Sequence, residues 1–341
     1  MKAFTFQEYF EKTAQSHTPE MSFSISGMSF SEWQSAARGK LVELLGYFPE
    51  KVPLNAVTAY SVDDGDIVRR RVVIDVDEYM SMPMIVMIPK NAKPGATPAI
   101  VCSHGHGKFG KDPVAGMAGT PEREADIAMQ NYNYAEQMAR AGFVTVAPDL
   151  RGFGERHDKY DPVDMARDMC NVNYVKGSIF GIYPLTLNIS DIMRCIDYLE
   201  TLDEVAPDRI GMMGLSYGGT VTTFTTAVEP RIKACDIIGF VNPFAAYGIR
   251  DGNFCGSQVV PNIYRYFDTF DIAGMIAPRP TLFEMGIYDA CFPFADLMKG
   301  YEGTRAIFDA AGASSRLECD IHPHGHAFSG KAAFDFFKKN L

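Results

Sequence analysis

A serine with glycines two residues before and two residues after it lies at the centre of the most informative stretch of the chain. Ser216 stands between Gly214 and Gly218, after a short apolar run and before a segment with helical character. This is the pattern of a nucleophile elbow, in which a sharp turn presents the serine at the tip of a strand. Glycines on both sides let strand and helix pass closely. We therefore predict that Ser216 is a nucleophile; a plain strand–helix turn is the alternative.

A serine hydroxyl is a weak nucleophile at neutral pH and needs a base beside it. Histidine has a suitable pKa, and a carboxylate fixes its tautomer and stabilises the imidazolium. Downstream of Ser216, Asp289 follows a strand-like run and His326 follows the last such run. This order of serine, acid and histidine is that of the α/β-hydrolases. We predict a catalytic triad of Ser216, Asp289 and His326.

The acid and the base each have rivals in the sequence. Asp289 could instead be a turn aspartate that caps the next helix. Asp236 is another candidate acid, but it stands inside an apolar strand-like run rather than at its end. His322 and His324 compete with His326. We favour His326 because a glycine precedes it and a phenylalanine follows two residues later, as a tight turn and a packing anchor would.

The negative oxygen that forms when a serine attacks a carbonyl needs two aligned donors. We predict that the backbone N–H of Tyr217 is one donor. The other is expected from the loop His104-Gly105-His106-Gly107, where we choose the N–H of His106. The side chain of His104 or His106 could brace this loop. A purely structural glycine turn is the alternative.

Nucleotide-binding patterns overlap the same loop. Residues 105–110 fit Gly-x-Gly-x-x-Gly, and residues 105–111 fit the start of a P-loop. Asp112 stands where a P-loop needs Ser or Thr, and no acidic residue has the spacing of a ribose contact. We therefore expect no nucleotide cofactor.

Five of the seven histidines lie in two alternating runs, at 104 and 106 and at 322, 324 and 326. Alternate residues of an extended segment share a face, so these histidines could ligate a metal. A metallohydrolase is therefore an alternative, but it leaves the elbow unexplained. We expect a site without metal.

From residue 99 onwards, apolar strand-like runs alternate with helical patterns. This alternation predicts an α/β fold: a mostly parallel central sheet with helices on both faces and ligands at the carboxyl ends of the strands. Predicted strands cover 68–75, 84–88, 99–103, 143–147, 234–238, 280–286 and 316–321, besides the strand before the elbow; predicted helices cover 30–47, 131–141, 187–202, 220–227, 295–311 and 331–339.

We predict two parts in the chain. Residues 1–60 form an N-terminal helical extension packed on the core, and residues 61–341 form the catalytic domain. Residues 155–184 show no regular pattern and are predicted to be a lid-like insertion.

The bulk composition excludes some partners. A net charge of −10 argues against nucleic acid and against an anionic membrane surface. No apolar run approaches the roughly 20 residues that cross a bilayer, and the N-terminus has no signal-peptide pattern.

The seven cysteines are odd in number and form no Cys-x-x-Cys. We interpret them as reduced packing residues of a cytoplasmic protein, with Cys291 as a weak alternative nucleophile.

These features resemble the α/β-hydrolases of the acetyl xylan esterase and dienelactone-hydrolase-like group. The resemblance spans residue 33 to the C-terminus and rests on the His104-Gly-His-Gly loop, the stretch 149–156, the elbow, Asp289 and Gly325-His326. It implies hydrolysis of carboxylic esters through an acyl-serine. The resemblance does not extend to residues 155–184, so it does not identify the substrate.

Arg151 and Glu155, within the resembling stretch, could contact substrate. We favour the interpretation that Asp149 and Arg151 fix the loop through an ion pair.

We predict a serine esterase that acts on short acyl groups, including acetylated sugars, without cofactor. Its partner is a small-molecule ester, and the sequence leaves open whether the chain forms a homo-oligomer. A peptidase or C–C hydrolase on the same fold is the first alternative, because fold does not fix chemistry. A metallohydrolase or a non-catalytic binding protein is less favoured.

Overall fold

A nine-stranded sheet forms the centre of the protein in the computed structural model, which describes residues 2–158 and 169–341. The strand order is β1-β2-β3-β5-β4-β6-β7-β8-β9. The strands are β1 (Val57–Asp64), β2 (Ile67–Asp75), β3 (Ser81–Pro89), β4 (Thr97–Ser103), β5 (Val144–Pro148), β6 (Val205–Leu215), β7 (Ile232–Ile238), β8 (Thr281–Gly286) and β9 (Leu317–His322).

The sheet has an antiparallel and a parallel part. β1, β2 and β3 pair antiparallel, and β3 pairs antiparallel with β5. From β5 through β4, β6, β7 and β8 to β9, all neighbours are parallel. The predicted α/β fold with a mostly parallel central sheet is thus confirmed. The carboxyl ends of its parallel strands share one edge, where the candidate residues lie.

Thirteen α-helices are formed by the described residues. They are α1 (Phe6–Gln15), α2 (Phe23–Ser26), α3 (Phe30–Leu45), α4 (Lys111–Val114), α5 (Pro121–Gln130), α6 (Tyr134–Arg140), α7 (Met169–Phe180), α8 (Pro184–Leu199), α9 (Tyr217–Val228), α10 (Ile263–Tyr266), α11 (Thr269–Gly274), α12 (Phe294–Ala310) and α13 (Ala333–Asn340). Two apolar clusters cover the sheet. The larger includes residues of α3, α8 and α9, and the smaller includes residues of α6 and α13.

The N-terminal helices pack on the sheet domain. Ser29 begins α3 with a capping box to Glu32. Trp33, Leu41 and Leu45 of α3 are fully buried in the same cluster as the strands. The predicted boundary at residue 60 lies inside β1, which begins at Val57. We did not predict β1, because it is exposed over almost its whole length and lacks a buried face that would alternate in sequence.

Several helix predictions need correction. Residues 155–184 are not irregular throughout, since α7 and the start of α8 lie there; residues 159–168 of this predicted insertion fall outside the described part. The helix predicted for 131–141 begins only at Tyr134, and the preceding residues 121–130 form α5. The start signal of α5 is Thr120 as N-cap, followed by a proline at the first helical position. α8 also has a proline at its first position, Pro184, and begins three residues before the prediction.

Over the described residues, the structure contains no helix that combines the length and apolarity needed to cross a membrane.

Candidate active site

The backbone of Ser216 is strained between β6 and α9. Its φ of 63° and ψ of −117° are unusual for a residue with a side chain. A Cβ on Gly214 would lie 2.5 Å from the carbonyl carbon of Gly218, and a Cβ on Gly218 would lie 2.1 Å from the Ser103 oxygen. Both glycines are therefore required for β6 and α9 to pack this closely. The turn presents Ser216 at the start of α9, whose first N–H groups lack helical partners.

Asp289 and His326 form a hydrogen-bonded pair. Nδ1 of His326 lies 2.7 Å from Oδ2 of Asp289, which is buried. The other oxygen, Oδ1, accepts from the backbone N–H groups of Cys291 and Phe292, both at 2.8 Å. The carboxylate is thus a turn aspartate that also orients a histidine. The Phe292 ring lies nearly parallel to the imidazole, with centroids 5.5 Å apart, and fixes its plane.

The remaining nitrogen of His326 is available for chemistry. Nε2 is buried and has no hydrogen-bond partner within the described residues. Gly239 brings the imidazole close to the elbow. A Cβ on Gly239 would lie 3.0 Å from Cε1 of His326, and the carbonyl of the preceding Ile238 accepts from the Ser216 N–H at 2.9 Å. His326 and Ser216 therefore contact adjacent residues at the end of β7.

The loop after β4 packs against the serine. A Cβ on Gly105 would lie 3.1 Å from Cβ of Ser216 and 2.9 Å from the Leu215 oxygen. The Gly105 N–H donates to the hydroxyl of Tyr132 at 2.5 Å, which anchors the loop. The next residue in the chain is His106. The structure thus brings this glycine loop, the predicted source of an oxyanion donor, to the elbow.

The side chain of His106 packs against two aromatic rings. Its ring centroid lies 4.9 Å from that of Tyr217 and 5.6 Å from that of Phe153. The Tyr217 hydroxyl accepts from the side-chain amide of Asn188 at 2.7 Å, deep in the protein. Burial raises the pKa of Tyr217 well above its usual value. The tyrosine ring is therefore a neutral, fixed wall beneath His106.

His104 is a buried brace rather than a ligand. Its Nδ1 lies 2.7 Å from the Gly105 oxygen, and its Nε2 accepts from the Leu150 N–H at 3.0 Å. Burial lowers the pKa of His104, which favours the neutral ring. Because both ring nitrogens are used, His104 cannot ligate a metal in this arrangement. It joins the loop after β4 to the loop after β5.

Charged residues of the loop after β5 are engaged with other protein groups. Asp149 does not pair with Arg151: it accepts from Nζ and N–H of Lys111, both at 2.9 Å. Glu155 pairs with Arg71 at 2.6 Å and with Lys111 at 2.6 Å. The hydrogen bond from Arg71 is the main cause that lowers the pKa of Glu155 to about 2.

Arg151 has acidic partners of its own. It contacts Asp191 at 2.7 Å and Asp77 at 2.6 Å. The ion pair between Asp149 and Arg151 that we favoured is therefore not formed among the described residues, although Arg151 joins the loop to other acidic side chains. Arg151 also lines a cavity of about 230 Å³ together with Phe153 and Cys170.

The rival acid and histidines have other surroundings. Asp236 is buried in β7, and neither carboxylate oxygen has a hydrogen-bond partner in the described chain. Burial is the main cause that raises the pKa of Asp236, and the neighbouring Glu284 adds to it. His322 is buried with both ring nitrogens unpartnered among the described residues, and His324 is exposed beside it. Of these three histidines, only His326 has a carboxylate partner within the described part of the chain.

Two groups of side chains have the spacing of metal ligands. Over residues 2–158 and 169–341, these are His106 with Cys170 and Cys255, and Asp289 with Cys291 and His326. Neither group joins the two histidine runs, so the geometry gives no support to the five-histidine metal site considered from the sequence.

None of the seven cysteines, all of which the structure describes, forms a disulfide, but they do not all pack in the interior. Cys102, Cys195 and Cys235 are buried, whereas Cys291 and Cys319 are exposed, which corrects our interpretation for the last two. Cys170 and Cys255 are partly buried and close together; a hydrogen bond from Cys255 lowers the pKa of Cys170 to about 5. No spacing pattern in the sequence indicated this cluster, because its members lie far apart in the chain.

Comparisons with known proteins agree with this architecture. The profile of the Abhydrolase family matches residues 11–305. The Bacillus subtilis (strain 168) protein YtaP, named as a hydrolase, is 25% identical over 294 residues, which are 85% of this chain and 92% of YtaP.

Solved structures share the fold at low sequence identity. A candidate acetyl xylan esterase from Bacteroides fragilis NCTC 9343 has a TM-score of 0.74 and 18% identity, with 94% of this chain and 83% of that chain covered. A glucuronoyl esterase from Solibacter usitatus has a TM-score of 0.70 and 15% identity, with 95% and 98% covered.

Proposed function

The chain belongs to the Abhydrolase family, and from that premise we propose that it hydrolyses carboxylic esters with Ser216 as nucleophile. The observation that carries the proposal is the Asp289–His326 pair. Its carboxylate holds Nδ1, and its Nε2 has no hydrogen-bond partner in the described chain. A histidine held in this way is suited to act as a general base.

The reaction would follow from these positions. Ser216 Oγ attacks the ester carbonyl while His326 Nε2 takes its proton, and Asp289 stabilises the imidazolium. The N–H groups of His106 and Tyr217 stabilise the negative oxygen. His326 then protonates the leaving alcohol and later activates the water that cleaves the acyl-serine. Each of these steps uses only groups of this chain, its substrate and one water molecule.

We propose short acyl groups, including acetyl esters of sugars, as the substrate class. Phe292 lies against His326, and the Tyr247 ring stacks on Phe292 with centroids 4.2 Å apart. Both rings are buried, so this wall limits the room beside the base. The names of the similar solved structures, an acetyl xylan esterase and a glucuronoyl esterase, support a carbohydrate ester as the substrate.

The first experiment combines hydrolysis with active-site labelling. We expect the purified protein to hydrolyse p-nitrophenyl acetate faster than esters with long acyl chains, and acetylated xylo-oligosaccharides to be cleaved. Ser216→Ala should lower kcat by roughly 10⁴-fold or more, because triad members act as a unit. A fluorophosphonate should label Ser216, located by peptide mass spectrometry.

A matched control is Ser61→Ala, on the exposed edge strand β1. It should leave both hydrolysis and labelling unchanged. Hydrolysis that survives Ser216→Ala would contradict the serine mechanism. Cleavage of a peptide anilide in preference to acyl esters would contradict the proposed substrate class.

A further inference from the structure

Beside the candidate active site, three separate parts of the chain bring one imidazole and two thiols together. His106 comes from the loop after β4, Cys170 from α7 and Cys255 from the segment before α10. Nε2 of His106 lies 3.1 Å from Sγ of Cys255. All three ligand atoms lie within 4.8 Å of one another.

We infer that His106, Cys170 and Cys255 form a binding site for a zinc-like transition-metal ion. Imidazole nitrogen and thiolate sulfur are the ligands that such ions prefer over the hard cations calcium and magnesium. Two thiolates also neutralise the double charge of the ion. One nitrogen and two sulfurs form the protein ligand set of a four-coordinate zinc site with one open position.

The spacing of the ligand atoms is suited to a single ion. With zinc–sulfur bonds of about 2.3 Å and zinc–nitrogen bonds of about 2.0 Å, ligand atoms on a tetrahedral ion lie ~3.5 to 3.8 Å apart. The His106–Cys255 distance of 3.1 Å is that of a hydrogen bond, so it would widen by about half an ångström. The other two separations are at most 4.8 Å, so they lie no more than about 1 Å above the tetrahedral values.

The surrounding structure holds two of the three segments in place. A Cβ on Gly256 would lie 2.3 Å from Cβ of Tyr174, and the Gly256 N–H donates to Oδ1 of Asn171 at 2.7 Å. The turn that carries Cys255 is therefore in close contact with α7, which carries Cys170. This contact positions the thiols before any ion arrives.

The third ligand is oriented by aromatic packing. The rings of Tyr217 and Phe153 contact the His106 imidazole, with centroids 4.9 Å and 5.6 Å away. His106 is exposed at the surface of the protein, which gives an ion an entry path and leaves the open position to water. A bound ion would join the loop after β4 to α7 through the side chain of His106.

Cobalt titration of the full chain tests this inference. Reduced protein, freed of metal by chelation, is titrated with Co²⁺ without oxygen. We expect thiolate-to-cobalt charge-transfer absorption that saturates at one ion per chain and disappears when Zn²⁺ is added. Cys170→Ser and Cys255→Ser should each weaken binding by roughly 100-fold or more, since even residues that only orient ligands contribute 10- to 100-fold.

Cys319→Ser is the matched control, because Cys319 is an exposed thiol on β9. It should bind Co²⁺ as the wild type does. Ser216→Ala should also bind normally, so the metal site and the proposed esterase activity can fail separately. Absence of the charge-transfer band, or an undiminished band in both Cys170→Ser and Cys255→Ser, would overturn the inference.

Discussion

Gly239 and His326 are in contact at the end of β7. A Cβ built on Gly239 would lie 3.0 Å from Cε1 and 3.1 Å from Nδ1 of the imidazole, and 3.4 Å from Oδ2 of Asp289. The φ of Gly239 is +55°, in the region that favours glycine. The carbonyl oxygen of the preceding residue, Ile238, accepts a hydrogen bond from the N–H of Ser216. Residue 239 therefore sets the space in which the proposed base lies beside the proposed nucleophile.

Gly239→Ala should impair catalysis through this contact. The added methyl group moves His326 by a few tenths of an ångström, and small misplacements of a catalytic group are costly. We expect kcat/KM for p-nitrophenyl acetate to fall by about 10- to 100-fold. Gly312→Ala is the control, because Gly312 has a similar φ of +67° and open space around its Cβ position. Equal losses in both variants would show that backbone strain, not the contact, is responsible.

Asp289→Asn should abolish most activity by reversing the tautomer of His326. Two backbone N–H groups bind Oδ1 of Asp289, so the oxygen of the asparagine amide is held on that side. Its NH₂ group then faces Nδ1 of His326 as a donor, and the ring proton moves to Nε2. A ring protonated there cannot accept the serine proton, and kcat should fall by about 10⁴-fold.

The control for this variant is Asp309→Asn, an exposed position on α12. It should retain full activity. Thermal unfolding should show that Asp289→Asn is folded at the assay temperature. Activity of Asp289→Asn within about tenfold of the wild type would contradict the role of the carboxylate in setting the tautomer.

The sequence predicted the parallel half of the fold better than its edge. Strands β4 to β8 are mostly apolar and buried, so their runs were visible beside the helical patterns. β1 is exposed and carries no such pattern. For the candidate site, the motif around Ser216 and the chain order selected Asp289 and His326. In the structure, Oδ2 of Asp289 lies 2.7 Å from Nδ1 of His326.

Contacts between distant loops could not be predicted in the same way. Nothing in the sequence distinguishes Lys111 as the partner of Asp149, because the start of α4 and the loop after β5 meet only in the fold. The cluster of His106, Cys170 and Cys255 is a second case. Residue spacing along the chain carries no information about such pairs.

Lys111→Met should destabilise the protein strongly. Lys111 is fully buried, and its Nζ binds the equally buried Asp149 at 2.9 Å. Removing the cation leaves an uncompensated buried carboxylate, which costs about 3–5 kcal/mol. We expect a loss of that size in the free energy of unfolding measured with urea.

The double variant Lys111→Met with Asp149→Asn tests the cause of that loss. It removes the buried negative charge and should recover part of the stability, because the amide oxygen can still accept a backbone N–H. Lys331→Met, at an exposed position, serves as the single-residue control. A loss below about 1 kcal/mol in Lys111→Met would show that the pair contributes no more than a surface ion pair.

Glu284→Gln should change how stability depends on pH. Burial is the main cause that raises the pKa of Glu284 from an ordinary 4.5 to about 8. Below pH 4.5 the carboxyl is protonated in both folded and unfolded chains. Between pH 4.5 and 8 only the unfolded chain releases the proton, so the wild type loses stability as pH rises; above 8 the loss is constant.

Glutamine at this position has no proton to release, and its amide oxygen can still accept the Ser329 N–H. The stability of Glu284→Gln relative to the wild type should therefore rise between pH 5 and pH 8, by on the order of 2–4 kcal/mol. Urea unfolding of both proteins at the two pH values measures this difference. Glu302→Gln, exposed on α12, should show no such trend. A relative stability of Glu284→Gln that is the same at both pH values would mean that Glu284 is already ionised in the folded protein at pH 5.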